Sequence, residues 1–120
     1  MYDIQMGDMT YQFLEMIWEC GPVRSTQLVH LAAERLEWKK PTTYTVIRRL
    51  CEKGIIKNED SIVTALISKE RFLAEQSGRF VEENFGGSLP LFLSAFASAH
   101  QLSEEDLAYL RKLTFKEGDD

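Results

Sequence analysis

Apolar residues recur at helical spacing along most of the chain, and polar or glycine-containing breaks separate the apolar segments. The pattern predicts helices over about 8–20, 25–36, 41–53, 68–84, 89–100 and from 103 onward. Pro41 suits the first position of the third helix, and Gly54 suits the left-handed cap at its end. Ser103-Glu104-Glu105-Asp106 has the pattern of a capping box, which marks the start of the last helix.

Two segments rich in β-branched residues, 55–57 and 62–67, follow the third helix. The polar turn Asn58-Glu59-Asp60-Ser61 separates them, so they predict a β-hairpin. Because this turn is short and acidic, we expect its tip not to contact phosphate. Three helices followed by a hairpin are typical of a winged helix-turn-helix domain, in which the third helix binds DNA. The expected fold class is therefore mainly α with a small β-hairpin wing.

The third helix has two different sides when its residues are placed at 100° intervals. The core side carries Thr43, Val46, Ile47, Leu50 and Cys51. The other side presents hydroxyl and guanidinium groups, which suit close approach to DNA and contact with guanine edges and phosphates. Two lysines at the helix N-terminus favour phosphate as well. The predicted DNA-binding residues, which include Thr43 although it falls on the core side, are Lys39, Lys40, Thr42, Thr43, Tyr44, Thr45, Arg48 and Arg49.

The location of charge matters more here than its total. The 120 residues carry a formal net charge of −5, which by itself argues against a nucleic-acid partner. Between Trp38 and Lys57, however, six basic residues stand against the single acid Glu52, while other acids lie in Glu104-Glu105-Asp106 and at Asp119-Asp120. Screening limits charge interactions to about 8 Å at physiological salt, so the local sign determines affinity for phosphate.

Composition narrows the class of protein further. A hydrophobic fraction of 44% is enough for a packed core, and no apolar run approaches the roughly 20 residues that span a bilayer. Met1-Tyr2-Asp3-Ile4 lacks the features of a signal peptide, so we expect a cytoplasmic protein that does not bind membranes. Cys20 and Cys51 fall at apolar helix positions, which favours buried reduced thiols over a disulfide or a metal site. Neither a metal nor another cofactor is expected.

The helices after Ser68 carry more apolar surface than about 50 residues can bury among themselves. A second copy of the chain would cover this surface, so we expect a winged-helix DNA-binding domain over 1–67 and a helical dimerisation region over 68–120. The alternative is that these helices fold back onto the first three in a single core. The predicted dimer contacts are Phe72, Phe80, Phe85, Phe92, Phe96, Leu107 and Leu110.

Several segments in this order resemble one known family. They are Gly7-Asp8, Trp18-Glu19-Cys20-Gly21, Pro41-Thr42-Thr43-Tyr44-Thr45, Arg49-Leu50, Lys53-Gly54-Ile55-Ile56, Asn84-Phe85-Gly86-Gly87-Ser88 and Leu102-Ser103-Glu104-Glu105. Together they resemble the penicillinase-repressor family, the BlaI/MecI/CopY group, over nearly the whole chain. The resemblance implies a winged-helix repressor whose C-terminal helices form a homodimer. Such a homodimer would bind an inverted-repeat, double-stranded DNA operator, commonly upstream of β-lactamase or other resistance genes.

The resemblance also suggests two ways of ending repression. In the antibiotic-responsive branch, a membrane sensor triggers cleavage of the repressor between an Asn and a Phe. The matching pair here is Ala95-Phe96, so the Asn is absent, and the alternatives are a constitutive repressor or a protease with another preference. In the copper branch, C-terminal Cys-x-Cys motifs bind the metal. This chain has no cysteine after Cys51, so the copper mechanism does not carry over.

Two rival functions need to be weighed against a repressor. An enzyme would have to use His30, His100, Cys20 or Cys51, and none of these is paired with a second chemical group at motif spacing. We therefore do not expect an enzyme. The second rival is a winged helix used only for protein contacts, or an anti-repressor that pairs with a relative. The acidic turn favours this rival and the basic third helix opposes it.

Overall fold

The computed structural model describes residues 7–118. Within this range the chain forms six helices and three short strands: α1 (Asp8–Cys20), β1 (Val23–Arg24), α2 (Ser25–Leu36), α3 (Lys40–Glu52), β2 (Ile56–Glu59), β3 (Ile62–Ala65), α4 (Lys69–Phe85), α5 (Leu89–Ala99) and α6 (Glu104–Gly118). Residues 1–4, where we expect no signal peptide, lie outside the described range. The acids Asp119 and Asp120 also lie outside it. No helix in the described range is long and apolar enough to cross a membrane.

The three strands form one antiparallel sheet in the order β1-β3-β2. Val23 pairs with Val63, and Ile56 pairs with Ala65 at the open end of the hairpin. The hairpin turn is tighter than expected, because β2 extends to Glu59 and only Asp60 and Ser61 remain in the turn. Their φ angles of 52° and 64° are both positive, as a two-residue turn that matches the strand twist requires.

A single apolar core joins the first three helices, the sheet and the start of α4. Its buried side chains are Phe13, Leu14, Met16, Ile17, Val23, Leu28, Ala32, Leu36, Val46, Ile47, Leu50, Ile55, Ile56, Val63, Ile67 and Phe72. Most come from positions that recur at helical spacing in α1, α2 and α3, and the others come from the sheet, from the residues that flank the hairpin strands and from α4. Three helices and a hairpin around this core form a winged helix, which confirms the predicted fold class.

The chain divides into two compact units between Ser77 and Gly78, rather than between Ile67 and Ser68. The start of α4 belongs to the first unit because Phe72 of α4 and the residue Ile67 just before it contact Trp18 of α1. The Trp18 indole Nε1–H donates to the carbonyl oxygen of Ile67 at 2.9 Å, and the Trp18 ring centroid lies 5.6 Å from that of Phe72.

Phe72 therefore has a different role from the one predicted. Its side chain is only 2% exposed and also lies beside Tyr11, at a centroid distance of 6.2 Å. This burial inside one unit contradicts the prediction that Phe72 contacts a second subunit. Nearby, the Lys69 ammonium lies 3.0 Å from the Glu15 carboxylate, whose hydrogen bond and charge raise the pKa of Lys69.

The two cysteines, both predicted to be buried, differ in their exposure. Cys20 is exposed, which contradicts the expected burial, because it is the last residue of α1 and the chain turns away at Gly21. Cys51 is partly buried, and burial raises the pKa of its thiol. Among the described residues, no group of three or more His, Cys, Asp or Glu side chains could hold a metal ion.

The second unit contains the end of α4 together with α5 and α6. The ring centroids of Phe80, Phe85 and Phe92 lie 5.6 to 6.1 Å apart, and Phe96 continues this aromatic cluster. The predicted capping box of α6 is confirmed, because the Asp106 backbone N–H donates to Ser103 Oγ at 3.0 Å and the Ser103 N–H donates to Asp106 Oδ2 at 3.3 Å. Among residues 78–113, the part of this unit whose side chains the structure describes, none is fully buried.

The packing of Phe72 predicts a large stability difference between two adjacent positions. Phe72→Ala should lower the free energy of unfolding by about 3 to 5 kcal/mol, because it leaves a cavity beside Trp18. Leu73→Ala is the matched control, because Leu73 is 42% exposed and its truncation leaves no cavity. Urea denaturation followed by circular dichroism at a fixed protein concentration measures both. Equal losses for the two variants would contradict the burial of Phe72 in the first unit.

Candidate nucleic-acid interface

Local sequence sets both ends of α3. Lys39 precedes the helix in an extended conformation, and Pro41 lies in the first turn, where no N–H is needed for the helical ladder. At the other end, the Ile55 N–H donates to the Leu50 carbonyl oxygen at 3.1 Å, and Gly54 has a φ of 78°. This left-handed glycine closes the helix and directs the chain into β2.

The core holds α3 by one face and leaves the opposite face open. Val46, Ile47 and Leu50 are buried against the rest of the first unit. Of the predicted DNA-binding residues, the exposed ones are Lys39, Lys40, Thr42, Arg48 and Arg49, and the half-buried ones are Tyr44 and Thr45. The structure therefore brings seven of the eight predicted residues to the surface of α3 or to its N-terminus.

The four cations of this surface are not neutralised within the described part of the chain. None of Lys39, Lys40, Arg48 and Arg49 is ion-paired with another described residue. Several basic side chains outside α3 have acidic partners, as in the pairs Lys57–Glu59, Arg71–Glu75 and Arg79–Glu83. The positive charge on α3 is consequently available to a ligand from outside the chain.

Thr43 is the predicted site residue that the structure contradicts. Its side chain is 0% exposed, and Oγ1 has no hydrogen-bond partner among the described residues. It lies on the core side of α3, where the 100° spacing had already placed it. A buried hydroxyl in this position cannot reach DNA while the helix stays packed.

The wing carries its charge differently from α3. At the hairpin tip, Lys57 Nζ lies 3.1 Å from Glu59 Oε1, and the Glu59 side chain is 69% exposed. Asp60 in the turn is exposed as well. The only base in the hairpin strands is thus paired with an acid, which leaves the tip with uncompensated negative charge.

A concave surface beside α3 involves two residues that sequence reasoning missed. Thr26, Val29 and His30 of α2 and Lys40 and Tyr44 of α3 line a cavity of about 170 Å³, which we call the α2–α3 cavity. The sequence had suggested His30 only as a weak candidate for catalysis. Its proximity to Lys40 depends on how α2 packs against α3, and no short motif signals that arrangement.

The predicted dimer contacts of the second unit lie at least partly on the surface. Phe80 and Phe96 are 51% and 41% exposed, and Leu107 is also exposed. Phe85, Phe92 and Leu110 are half-buried. A groove of about 300 Å³ between α5 and α6 is lined by Phe96, Leu102, Asp106, Tyr109 and Leu110. Ala95 and Phe96, the pair at the expected cleavage position, both lie inside α5.

Comparison with known proteins agrees with this arrangement. The sequence profile of the family described as "Penicillinase repressor" matches residues 6–115. The chain is also similar to an uncharacterized 16.5 kDa protein of the ptsI 3′ region from Latilactobacillus sakei. The two are 25% identical over 107 residues, which cover 86% of this chain and 73% of the relative.

The burial of Thr43 predicts that its hydroxyl is a cost to folding and is not used in binding. Thr43→Val keeps the shape of the side chain and removes the unpaired oxygen, so it should raise the free energy of unfolding by about 1 kcal/mol. Thr45→Val serves as the control and should not stabilise the fold, because Thr45 is only half-buried and lies on the face of α3 opposite the core. Thermal denaturation measures both variants, and a destabilised Thr43→Val would show that Oγ1 makes a hydrogen bond.

Proposed function

Because the chain belongs to the penicillinase repressor family, which is a family of transcriptional regulators, we propose that it represses transcription by binding an inverted-repeat DNA operator as a homodimer. The observation that carries the DNA-binding part is the set of four exposed cations, Lys39, Lys40, Arg48 and Arg49, without acidic partners in the described chain. Phosphate contacts dominate the affinity of proteins for DNA, and they require cations that are not already neutralised.

In this proposal α3 lies in the major groove, and its side chains fall into two groups. Thr42, Thr45 and Arg49 would lie near base edges, where a small hydroxyl allows close approach and arginine can bind guanine through two hydrogen bonds. The other group would contact mainly phosphates and fix the register of the helix. It consists of Lys39, Lys40, Tyr44 and Arg48.

The homodimer part of the proposal rests on the second unit. Phe80, Phe96 and Leu107 keep large apolar areas in contact with water in the single chain. Aromatic anchors of this kind supply most of the energy in protein interfaces. A second copy would cover them, and the two-fold symmetry of the pair would match the symmetry of an inverted repeat.

A winged helix that only binds proteins is the alternative function. The acidic hairpin tip favours it, because Asp60 would repel phosphate and Lys57 is already paired with Glu59. The unpaired cations of α3 oppose it, since a face used for neutral protein contacts needs no such concentration of positive charge. A gel shift on genomic fragments at moderate salt separates the two functions, because the protein-only module gives no specific band.

Proteolytic release stays a prediction from the family resemblance. Ala95 and Phe96 lie inside α5, and the Ala95 carbonyl oxygen accepts a hydrogen bond from Ser98 Oγ at 2.7 Å. Cleavage by a sensor-linked protease would require this helix to open. Together with the missing Asn, this favours a constitutive repressor or a protease of another preference. A neighbouring gene for a membrane metalloprotease with a penicillin-binding domain would instead place the chain in an antibiotic-resistance circuit.

The assignment of base and phosphate contacts predicts different effects for two adjacent arginines. Arg49→Ala should weaken operator binding by roughly 1 to 3 kcal/mol and relax specificity at one base pair. Arg48→Ala should weaken all DNA sequences alike and flatten the salt dependence by about one unit. Fluorescence anisotropy with an operator and an unrelated duplex measures both effects. Arg35→Ala, an exposed arginine of α2, is the control, and unchanged operator binding by Arg49→Ala would overturn the docking.

The dimer proposal predicts a clear change in mass on truncation. A chain ending at Ser77 keeps Phe72 in the first unit and should sediment as a folded monomer, whereas the full chain should sediment as a dimer. Phe96→Ala in the full chain should weaken the dimer, and Gln101→Ala, a nearby exposed polar residue, should not. Circular dichroism checks that each protein is folded. A truncated chain that still sediments as a dimer would contradict the proposal.

A further inference from the structure

The α2–α3 cavity has the chemistry of an anion site. Four of its five lining residues can donate hydrogen bonds: Lys40 through its ammonium, Thr26 and Tyr44 through hydroxyls, and His30 through its imidazole. Val29 supplies the remaining apolar wall. None of the described residues that line the cavity is acidic. A concave surface that offers donors of this kind suits an oxyanion better than a cation or an apolar group.

The cavity is also large enough for such a group. Its volume is about 170 Å³, which is several times the roughly 30 Å³ that one water molecule occupies in the liquid. Thr26, His30 and Lys40 are exposed, and Tyr44 is half-buried, so the donors are accessible from solvent. Lys40 is not ion-paired with another described residue, and its charge is therefore not already compensated.

The position of the cavity on α3 indicates which anion it meets. At 100° per residue, Lys40 and Tyr44 lie on the shoulder of α3 that faces α2, away from Thr42 and Arg49. The major groove is bounded on both sides by a sugar-phosphate strand, so residues on the side of α3 that faces α2 can approach one of these strands. In helix-turn-helix domains the preceding helix crosses the backbone on that side.

We propose that the α2–α3 cavity receives one backbone phosphate of each DNA half-site, with Thr26 and His30 as contact residues beside Lys40 and Tyr44. The inference rests on the proposed function, because it takes α3 to lie in the groove. It extends the DNA-binding surface from α3 to α2 and adds two residues that the sequence did not indicate.

Removal of the two new donors tests the inference. His30→Ala and Thr26→Val should each weaken binding to the operator and to an unrelated duplex by the same factor, about two- to tenfold, as expected for one hydrogen bond. Gln27→Ala is the matched control, because Gln27 is exposed on the same helix but does not line the cavity. Its affinity for both duplexes should equal that of the unchanged protein.

A positive charge placed at position 30 distinguishes phosphate contact from a merely structural role of His30. His30→Lys should tighten binding to both duplexes and steepen the dependence of log affinity on log salt by about one unit. Gln27→Lys places the same charge on α2 outside the cavity and should change the slope less. An equal change for the two lysine variants would overturn the inference, because it would reflect general attraction.

Replacement of single DNA phosphates by a neutral group then identifies the phosphate that the cavity receives. Operator duplexes that carry a single methylphosphonate at successive positions should reveal one position per half-site where His30→Ala causes no additional loss. Such non-additivity identifies groups that contact each other. If the losses add at every position, the inference is wrong.

The outcomes separate this inference from the proposed function. If His30→Ala and Thr26→Val bind both duplexes normally while Arg49→Ala loses the operator, the cavity assignment fails and the repressor proposal stands. If the unchanged protein shows no specific band, both fail. Inorganic phosphate alone provides the last arm: if it shifts the His30 NMR signals at low concentration while the variants bind DNA normally, the cavity holds a free anion and the inference is overturned.

Discussion

Burial of one face of α3 determines which face a ligand can reach. Val46, Ile47 and Leu50 pack into the core of the first unit, and each is at most 8% exposed. Rotation of the helix would bring Arg48 or Arg49 into that core without a partner, at a cost of several kcal/mol. The core therefore allows one orientation of α3. The exposed cations are a consequence of that orientation, and the proposed DNA contacts depend on it.

The helix ends and the hairpin could be predicted from the sequence because short-range signals set them. Pro41 and Gly54 predicted a helix over 41–53, which differs from the observed Lys40–Glu52 by one residue at each end, and Ser103 with Asp106 marks the start of α6. The same local reasoning predicted the exposed and half-buried residues of α3, since the 100° spacing depends only on the helix itself. The turn between β2 and β3 was predicted too long, because strand pairing continues to Glu59 and Ile62.

Three features that sequence reasoning missed depend on contacts between different elements of the fold. Phe72 was predicted to contact a second subunit, but Trp18 and Tyr11 of α1 lie against it. The hydrogen bond from Trp18 to the Ile67 carbonyl extends the first unit into α4, beyond the expected boundary. His30 acquires its neighbours Lys40 and Tyr44 only when α2 packs on α3. Periodicity assigns a side to a residue but does not identify what covers that side.

In the proposed repressor, the small number of cations around α3 in the first unit makes a dimer through the second unit important for DNA binding. The chain as a whole carries −5, so its general attraction to DNA is weak, and affinity must come from the few cations around α3. One such set offers limited specificity over the many competing sites in a genome. A second copy, held through Phe80 and Phe96, would present a second set at a high effective concentration without any additional positive charge. A predominantly acidic protein of this kind therefore gains more from dimerisation than a basic one would, because its non-specific binding stays low while its binding to paired half-sites increases.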